Sequence, residues 1–463
     1  MIATLLLVGC VESSGPAVPA DTDTGASGET GGSGDSTVTP EPRPELTFPA
    51  DAEDLDAAAE VVQLTLTAGS AFRTIDGESV LRYAYNGVSP GPVIRANVGD
   101  TVIVDFENAL DDPSTVHWHG LAVPNAMDGV SWVQDPVPAG GVFSYTFTAT
   151  DPGSFWYHPH VDVAHQVDLG LYGMVVVADP TEPVADYDVV LVFDALDEVE
   201  EGEGAADDHT PPDPRTVRWT VNGVESPGWT LAPGSRSRAR LLNASNTSYL
   251  AISWPGARLI GGEQGLLAAP SLVEGLVLAP GDRAEVEVDA GAGAVDVTTA
   301  LWSAAGGASY GDDRVLFSVE GGESAPAAPL DFVFSGAAPS LDPGTTELLY
   351  TFAGGAPDTD WLINGEAWPD VTVQHVALGA EVFIELRNLS ATNHPFHLHG
   401  HRFEVLSIDD AAPEWARWED TLDLGIRSVV RLRLPANNPG EWALHCHLLG
   451  HEQGGMMTQL NVE

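Results

Sequence analysis

Lysine is missing altogether: all 18 basic residues are arginines, against 68 aspartates and glutamates, for a formal charge of −50. Such a surface repels phosphodiesters and anionic headgroups, which argues against nucleic acid or an anionic membrane face as partner. It suits salty surroundings, and it can also gather cations around an active site. Cysteine is nearly as scarce, with only Cys10 and Cys446. If each has its own task, no disulfide staples the chain, although an exported protein could carry one. Methionine occurs five times. Long helical periodicity is scarce, and beyond the first residues no apolar run is long enough to span a bilayer.

What is abundant is turn chemistry, 49 Gly and 34 Pro, interleaved with alternating apolar runs. That combination predicts an all-β protein of sandwich type. At 463 residues the chain has room for about three domains, each with its own core. The opening "MIATLLLVGC" resembles a bacterial lipobox, although it lacks the basic start of a signal peptide. The resemblance implies a lipoprotein-type signal over residues 1–10 and a lipid on Cys10. The protein would then be exported to the periplasm or cell surface and anchored in a bacterial outer membrane. Residues 11–55, rich in Gly, Ser, Thr, Pro and acids, bury too little apolar surface to order themselves and read as a flexible tether.

One pattern then occurs three times: "YNGVSPGPVIRANVGDTVIVDFENAL", "VNGVESPGWTLAPGSRSRARLLNAS" and "INGEAWPDVTVQHVALGAEVFIELRNLS". Its Asn-Gly pairs begin at Asn86, Asn222 and Asn364 and its closing asparagines are Asn108, Asn243 and Asn388. The intervals of 136 and 142 residues (222−86 and 364−222) are domain-sized. Three homologous β-domains are expected over 56–180, 181–325 and 326–463. Alternation puts Val102, Val104 and Phe106 on one face, Val382, Ile384 and Leu386 inward, and Arg236, Arg238 and Arg240 outward. The middle copy has no histidine but His209, so spacing and substrate surface are the work expected of it.

Histidine is where the first and last copies differ from the middle one. Four pairs share an i, i+2 spacing: His117/His119, His158/His160, His397/His399 and His445/His447. In a strand this spacing puts both imidazoles on one face, able to grip one metal or straddle two. Two pairs come from the first copy and two from the last, so they converge only if those copies share an interface. In "HCHLLGHEQGGMM", Cys446 points away from His445 and His447. With His451, Met456 and, from "NHPFH", His394, it completes His₂Cys plus a thioether, the ligand set of a blue-copper electron-transfer site.

With these motifs the sequence resembles the multicopper oxidases, from about residue 60 to the C-terminus. The resemblance implies cupredoxin-like Greek-key sandwiches and four copper ions. Type 2 copper would lie on His117 and His397, and the type 3 pair on His119, His158, His160, His399, His445 and His447. Type 1 copper would lie on His394, Cys446, His451 and Met456. It implies a proton-handling role for Asp128, in "NAMDGV", and for Glu452, next after the last histidine ligand. The expected activity is laccase-like: one-electron oxidation of phenols or aromatic amines coupled to four-electron reduction of dioxygen to water. Electrons would enter at an exposed edge of His451. The cuprous-oxidase alternative, in which they enter through His394, is weakened by the few methionines and by Ser390 and Thr392 where metal-holding groups would stand. A redox-inactive binding descendant would have lost ligands, and a copper nitrite reductase would have two domains and no trinuclear set. His401 is expected to pack or hydrogen bond, and His165 and His375 to be ordinary loop or strand residues.

Overall fold

The computed structural model of the chain describes residues 43–75, 78–196, 217–289, 291, 293–302, 309–322, 328–340, 347–355 and 360–463. Cys10, His209 and the tether up to residue 42 lie outside the described residues. Among those residues the chain is all-β, relieved by the short helices Val163–Asp168 and Leu449–Gln453 and a 3₁₀ turn at Asn125–Met127. No described helix is long and apolar enough to cross a membrane.

The three repeats open with one construction. Val61–Ile75 runs parallel to Thr101–Asn108 and antiparallel to Glu78–Tyr85. Tyr187–Leu196 stands in the same way to Arg236–Asn243 and Arg218–Val221, and Leu348–Ala353 to Glu381–Asn388 and Leu362–Ile363. The turn in each is an Asn-Gly pair with both residues at positive φ: 52° and 78° at Asn86-Gly87, 51° and 79° at Asn222-Gly223, 56° and 78° at Asn364-Gly365. Asn and Gly are the residues that tolerate that hairpin geometry. Each asparagine also clamps the neighbouring strand from both sides: the Asn86 side chain accepts from Thr67 N and donates to Thr65 O. Asn222 does so with Val192 and Val190, and Asn364 with Thr351 and Leu349. The closing asparagines repeat a second device. Asn108 donates to Asp112 O and Val137 O, Asn243 to Ser248 O and Leu278 O, and Asn388 to Thr392 O and Leu424 O. The recurrence in the sequence is thus a recurrence of backbone tasks that only a short amide side chain performs at those places.

The histidine pairs lie on the second sheet of the outer repeats. In the first, His117–His119 is the edge strand of a four-stranded sheet and pairs with Gly153–His158, setting His117 opposite His158. In the last, His394–Leu398 lies between Thr421–Leu424 and Gly440–Cys446, with His397 opposite His445 and Phe396 opposite Cys446. The middle repeat forms one ten-stranded sheet. Each repeat has its own apolar core, around Phe106 and Trp118, around Leu241 and Trp254, and around Leu432 and Trp442.

Two expectations fail here. Arg238 and Arg240 are 6% and 1% exposed rather than facing water. Arg240 bonds Glu285 Oε1 at 2.7 Å, Asp188 Oδ1 at 2.7 Å and Ser154 Oγ at 3.1 Å, and Arg238 shares Glu285. Alternation identifies which residues share a face, but not that this face is covered by the first repeat. Paired guanidinium forks are what such a buried seam tolerates.

The tether also ends earlier than residue 55. Leu46 N donates to Gly228 O, Ala52 N to Val93 O and Val93 N to Ala50 O, each at 2.8 Å. Leu46 is 4% exposed within the middle core, and Phe48 meets Trp229 edge-on at 5.6 Å. Two apolar side chains in an otherwise acidic, Pro-rich stretch strap it across the first and middle repeats. Leu46→Ala should therefore cost about 2 kcal/mol, the low end for a buried Leu-to-Ala change because the strap can settle into the gap. A chemical-denaturation midpoint equal to that of the parent protein would show that the strap contributes nothing.

Candidate metal centre

The segment that carries the cysteine closes on itself. Cys446 ends the strand Gly440–Cys446, His451 sits on the helix Leu449–Gln453, and Met456 follows its C-terminus. Backbone bonds from Met456 N to His451 O (2.9 Å) and from Cys446 N to Met456 O (3.1 Å) hold the three together. His394, from the neighbouring strand, completes the group: its Nδ1 and that of His451 are each 3.5 Å from Cys446 Sγ and 3.2 Å from one another. His394 Nε2 lies 2.7 Å from Ser390 Oγ; with that hydroxyl donating to Asn388 Oδ1 or Thr392 O, Nε2–H donates to it and the Nδ1 lone pair faces the sulfur. Burial holds the His394 imidazole neutral, its pKa pushed down to about 3. Cys446, His394 and Met456 are 0% exposed and His451 3%.

The exposed edge expected at His451 is therefore absent. The indole of Trp361 lies flat against it, with ring centroids 3.6 Å apart and planes 23° apart. Nothing in the local spacing of the last segment announces a cover contributed from ninety residues upstream (451−361).

On the other side of the same strand the eight remaining imidazoles meet at the seam between the first and last repeats. His117, His119 and His158 bring their nitrogens together, as do His160, His399 and His445, and His117, His397 and His399. His447 closes the second side of the cluster, its ring 5.0 Å from His119 and 5.6 Å from His158. Most outer nitrogens are tied to the protein. Nδ1–H of His117, His158 and His397 donates to the carbonyls of Asp128, Pro159 and Asp420 at 2.9 Å each. His445 Nδ1 donates to Cys446 O at 3.0 Å. The inner nitrogens are different: Nε2 of His117, His158, His160 and His397, Nδ1 of His119, and both nitrogens of His447 are buried without a hydrogen-bond partner. Each buried orphan costs roughly 1–3 kcal/mol if left unsatisfied. Burial also lowers the pKa values of His119, His158, His397 and His399 well below the usual imidazole range, that of His160 to about 4 and that of His447 to about 3. Neutral, convergent, unpartnered imidazoles fit metal cations and little else. With the thiolate and thioether beside them they fit copper.

Two carboxylates frame this cluster. Asp128, fully buried, accepts from His399 Nδ1 through Oδ2 at 2.8 Å while its carbonyl takes His117. One residue thereby orients imidazoles from both outer repeats. Gly129 behind it has φ +88°, and a Cβ there would lie 2.3 Å from Val116 O, so the loop can turn Asp128 inward only with glycine next to it. Glu452 Oε2 is 3.1 Å from His445 Nδ1 and its Oε1 is 3.6 Å from His160 Nε2. Burial raises the Glu452 carboxyl, but the adjoining His445 and His160 more than offset that and hold it down to about 2. In the other direction, burial lowers His445 and the Glu452 carboxylate more than restores it, so its pKa is raised.

Sequence reasoning missed a third carboxylate and its supports. Asp420 Oδ1 is 3.1 Å from His119 Nε2, beside Thr421 Oγ1 at 2.8 Å, so His119 turns its Nδ1 to the cluster. Asp420 is held by both arms of Arg283, at 2.9 and 2.5 Å, and Glu263 accepts the backbone N–H groups of Asp420 and Thr421. Arg283 and Glu263 belong to the middle repeat, which thus braces the cluster rather than only spacing its neighbours. Gly281 of the same repeat packs directly on His447, where a Cβ would come within 3.1 Å of the ring. In a chain with 18 basic residues, an arginine in a strand context was the available signal. The remaining described histidines have other partners. His401 donates to His399 O and stands edge-on to Trp442. His165 meets Tyr83, and His375, exposed, pairs with Glu463.

Comparison with known proteins gives the same picture. Family models described as multicopper oxidase match residues 70–182 and 341–463. The multicopper oxidase MmcO of Mycobacterium tuberculosis is 31% identical, over 87% of this chain and 88% of its own length. Laccase-1 of Cryptococcus neoformans var. neoformans is 27% identical over 87% and 80%. A solved structure of a multicopper oxidase from Campylobacter jejuni, described as a metallo-oxidase, superposes with a TM-score of 0.79 at 25% identity, covering 91% of this chain and 96% of that one.

Proposed function

This chain belongs to the multicopper oxidase family, and from that premise we propose that it withdraws single electrons from phenols or aromatic amines and reduces dioxygen to water. The observation that carries the proposal is Cys446, set between His445 and His447 on one backbone. Its sulfur meets His394 and His451, its backbone N–H donates to Met456 O, and its two neighbours reach the eight-imidazole cluster. In this reading four copper ions are held: type 1 by His394, Cys446, His451 and Met456, type 2 by His117 and His397. The type 3 ions fall to His119, His158 and His447 and to His160, His399 and His445. Copper, when bound, supplies the one-electron redox steps and the dioxygen chemistry.

The protein's share is orientation and protons. Asp128 keeps His117 and His399 in the tautomer that leaves Nε2 for metal, and Asp420 does the corresponding work for His119 through its Nε2. Glu452, between His160 and His445, is the group positioned to pass protons to reduced oxygen.

Organic donors are favoured over cuprous ion by the surroundings of His394. Its Nε2 is engaged by Ser390, and its ring is flanked by Phe352 and Trp361, at 5.9 and 5.5 Å between centroids. A metal ion approaching there would meet aromatic faces and a hydroxyl. The test is oxygen uptake by copper-loaded protein against a phenol, an aromatic amine and cuprous ion. Turnover of cuprous ion that outpaces every organic donor would replace this reading with a metal-oxidase one.

For location we propose an exported, lipid-anchored enzyme, on the sequence "LLLVGC" alone. Several acyl chains on Cys10 would be needed for firm anchoring. Cys10→Ala should shift the enzyme from the membrane to the soluble fraction, and equal membrane retention would remove the lipid anchor from the account.

A further inference from the structure

We propose that Ser390 is a positioning residue for the type 1 group: it accepts the Nε2–H of His394, keeps Nδ1 of that ring free for copper, and holds the copper potential down. The inference rests on the oxidase reading above and deepens it.

The hydroxyl is fully used. Ser390, 7% exposed, lies in the turn between the strands Glu381–Asn388 and His394–Leu398. A serine oxygen has one proton to give and two lone pairs. The proton goes to Asn388 Oδ1 at 2.9 Å or to Thr392 O at 3.0 Å. The lone pairs face Thr392 N at 3.3 Å and His394 Nε2 at 2.7 Å, so the imidazole is the closer of the two donors. Asn388, itself buried, donates to Thr392 O and Leu424 O, which holds the acceptor of the serine proton in place.

The threefold repeat supplies a comparison within the chain. Ser245 stands two residues after Asn243, as Ser390 stands two after Asn388. It builds the same turn: its N–H and hydroxyl reach Asn243 Oδ1 at 3.1 and 2.7 Å, and the hydroxyl also lies 2.7 Å from Ser248 O. In the first repeat the same place is taken by Leu110, whose N–H donates to Asn108 Oδ1 at 3.0 Å with no hydroxyl present. The turn therefore needs the backbone N–H and not the side chain. Four residues further on stand Ser114, Tyr249 and His394. In the last repeat alone that residue is a histidine, and there the turn hydroxyl meets it.

An acceptor on the far nitrogen of a metal-bound imidazole fixes the ring and makes it a stronger base. A stronger base favours cupric over cuprous ion, the softer of the two. Ser390 thereby lowers the potential of the type 1 group and shifts its range toward donors that give up an electron readily. Losing the hydroxyl should raise it.

The experiment compares wild type with Ser390→Ala, Ser390→Thr and Ser245→Ala. As copper-loaded enzymes they are equilibrated without oxygen against ferrocyanide and ferricyanide, and the blue band is read. In Ser390→Ala the equilibrium constant should shift about fivefold toward reduced copper, equivalent to ~40 mV at ~59 mV per tenfold. Ser390→Thr, which keeps the hydroxyl, and Ser245→Ala, which removes only a turn hydroxyl, should stay at the parent value. Nitrogen NMR of copper-free protein with isotopically labelled histidine gives a readout independent of turnover. His394 should carry its proton on Nε2 in wild type and divide it between both nitrogens in Ser390→Ala; the wild-type spectrum alone carries the test if that variant does not fold. An Nδ1–H tautomer of His394 in wild type overturns the proposal, and so does an unmoved potential in Ser390→Ala or an equal rise in Ser245→Ala. A wild-type enzyme without a blue band overturns the type 1 reading itself, and the nitrogen signals then decide whether Ser390 orients the ring.

Discussion

Cys446→Ser is expected to give a colourless protein that keeps three of the four coppers proposed above and whose oxygen uptake with any donor falls to background. The sulfur is 3.5 Å from both His394 Nδ1 and His451 Nδ1 in a site sealed from water. A serine hydroxyl is close in size, so the core around it should hold, but it is a hard, protonated oxygen where the site needs a soft thiolate. The blue band, a sulfur-to-copper transition, has no counterpart with oxygen. His445 and His447 keep their places because the strand and its pairing with His397 are untouched. Metal analysis with visible spectroscopy separates the outcomes. A variant that stays blue places the sulfur ligand elsewhere, and one that loses all four coppers makes Cys446 a folding residue.

The second large effect is expected at Asp128. Asp128→Asn keeps the shape and the backbone carbonyl that binds His117, but it replaces the charged acceptor of His399 Nδ1–H with an amide. Outer partners of metal-bound histidines commonly matter by about 10–100-fold in affinity or activity. Reoxidation by dioxygen should slow by a factor in that range, while anaerobic bleaching of the blue band by donor stays at the parent rate, because the type 1 group does not touch this carboxylate. Glu452→Gln should show the same split, with the defect on the oxygen side. Slower bleaching with normal reoxidation in either variant would remove these residues from the oxygen chemistry.

The contrast between what the sequence foretold and what only the fold revealed follows the range of the interactions. The histidine pairs and Cys446 were legible because a strand's period of two turns local spacing into common direction. The threefold repeat was legible because Asn86, Asn222 and Asn364 do one local job, as do Asn108, Asn243 and Asn388. Arg238 and Arg240 were misjudged because their strand pattern is silent about the Glu285–Ser154 seam lying over them. The strap at Leu46 was lost in the average composition of an acidic segment. Trp361 over His451, and Glu263 and Arg283 behind Asp420, join residues from distant strands. Their side chains carry no spacing signal for that, since the contacts exist only once the repeats have docked.

The division of the eight imidazoles between the first and last repeats also bears on how the molecule is made. The last histidine of the first set, His160, and the first of the second, His397, are separated by 237 residues (397−160). At ~5–20 residues per second of synthesis, the first half of the cluster waits roughly 10–50 s for its complement. During that time a nascent chain offers paired histidines but no finished cage, and a stray ion bound to one half gains none of the affinity of the whole. A chain cut short anywhere before His447 never gains it. Metal that binds only the completed cage stabilises it by mass action. A chain that ends before His447 is therefore expected to lack the completed cage, and added copper is expected to leave its denaturation midpoint unchanged.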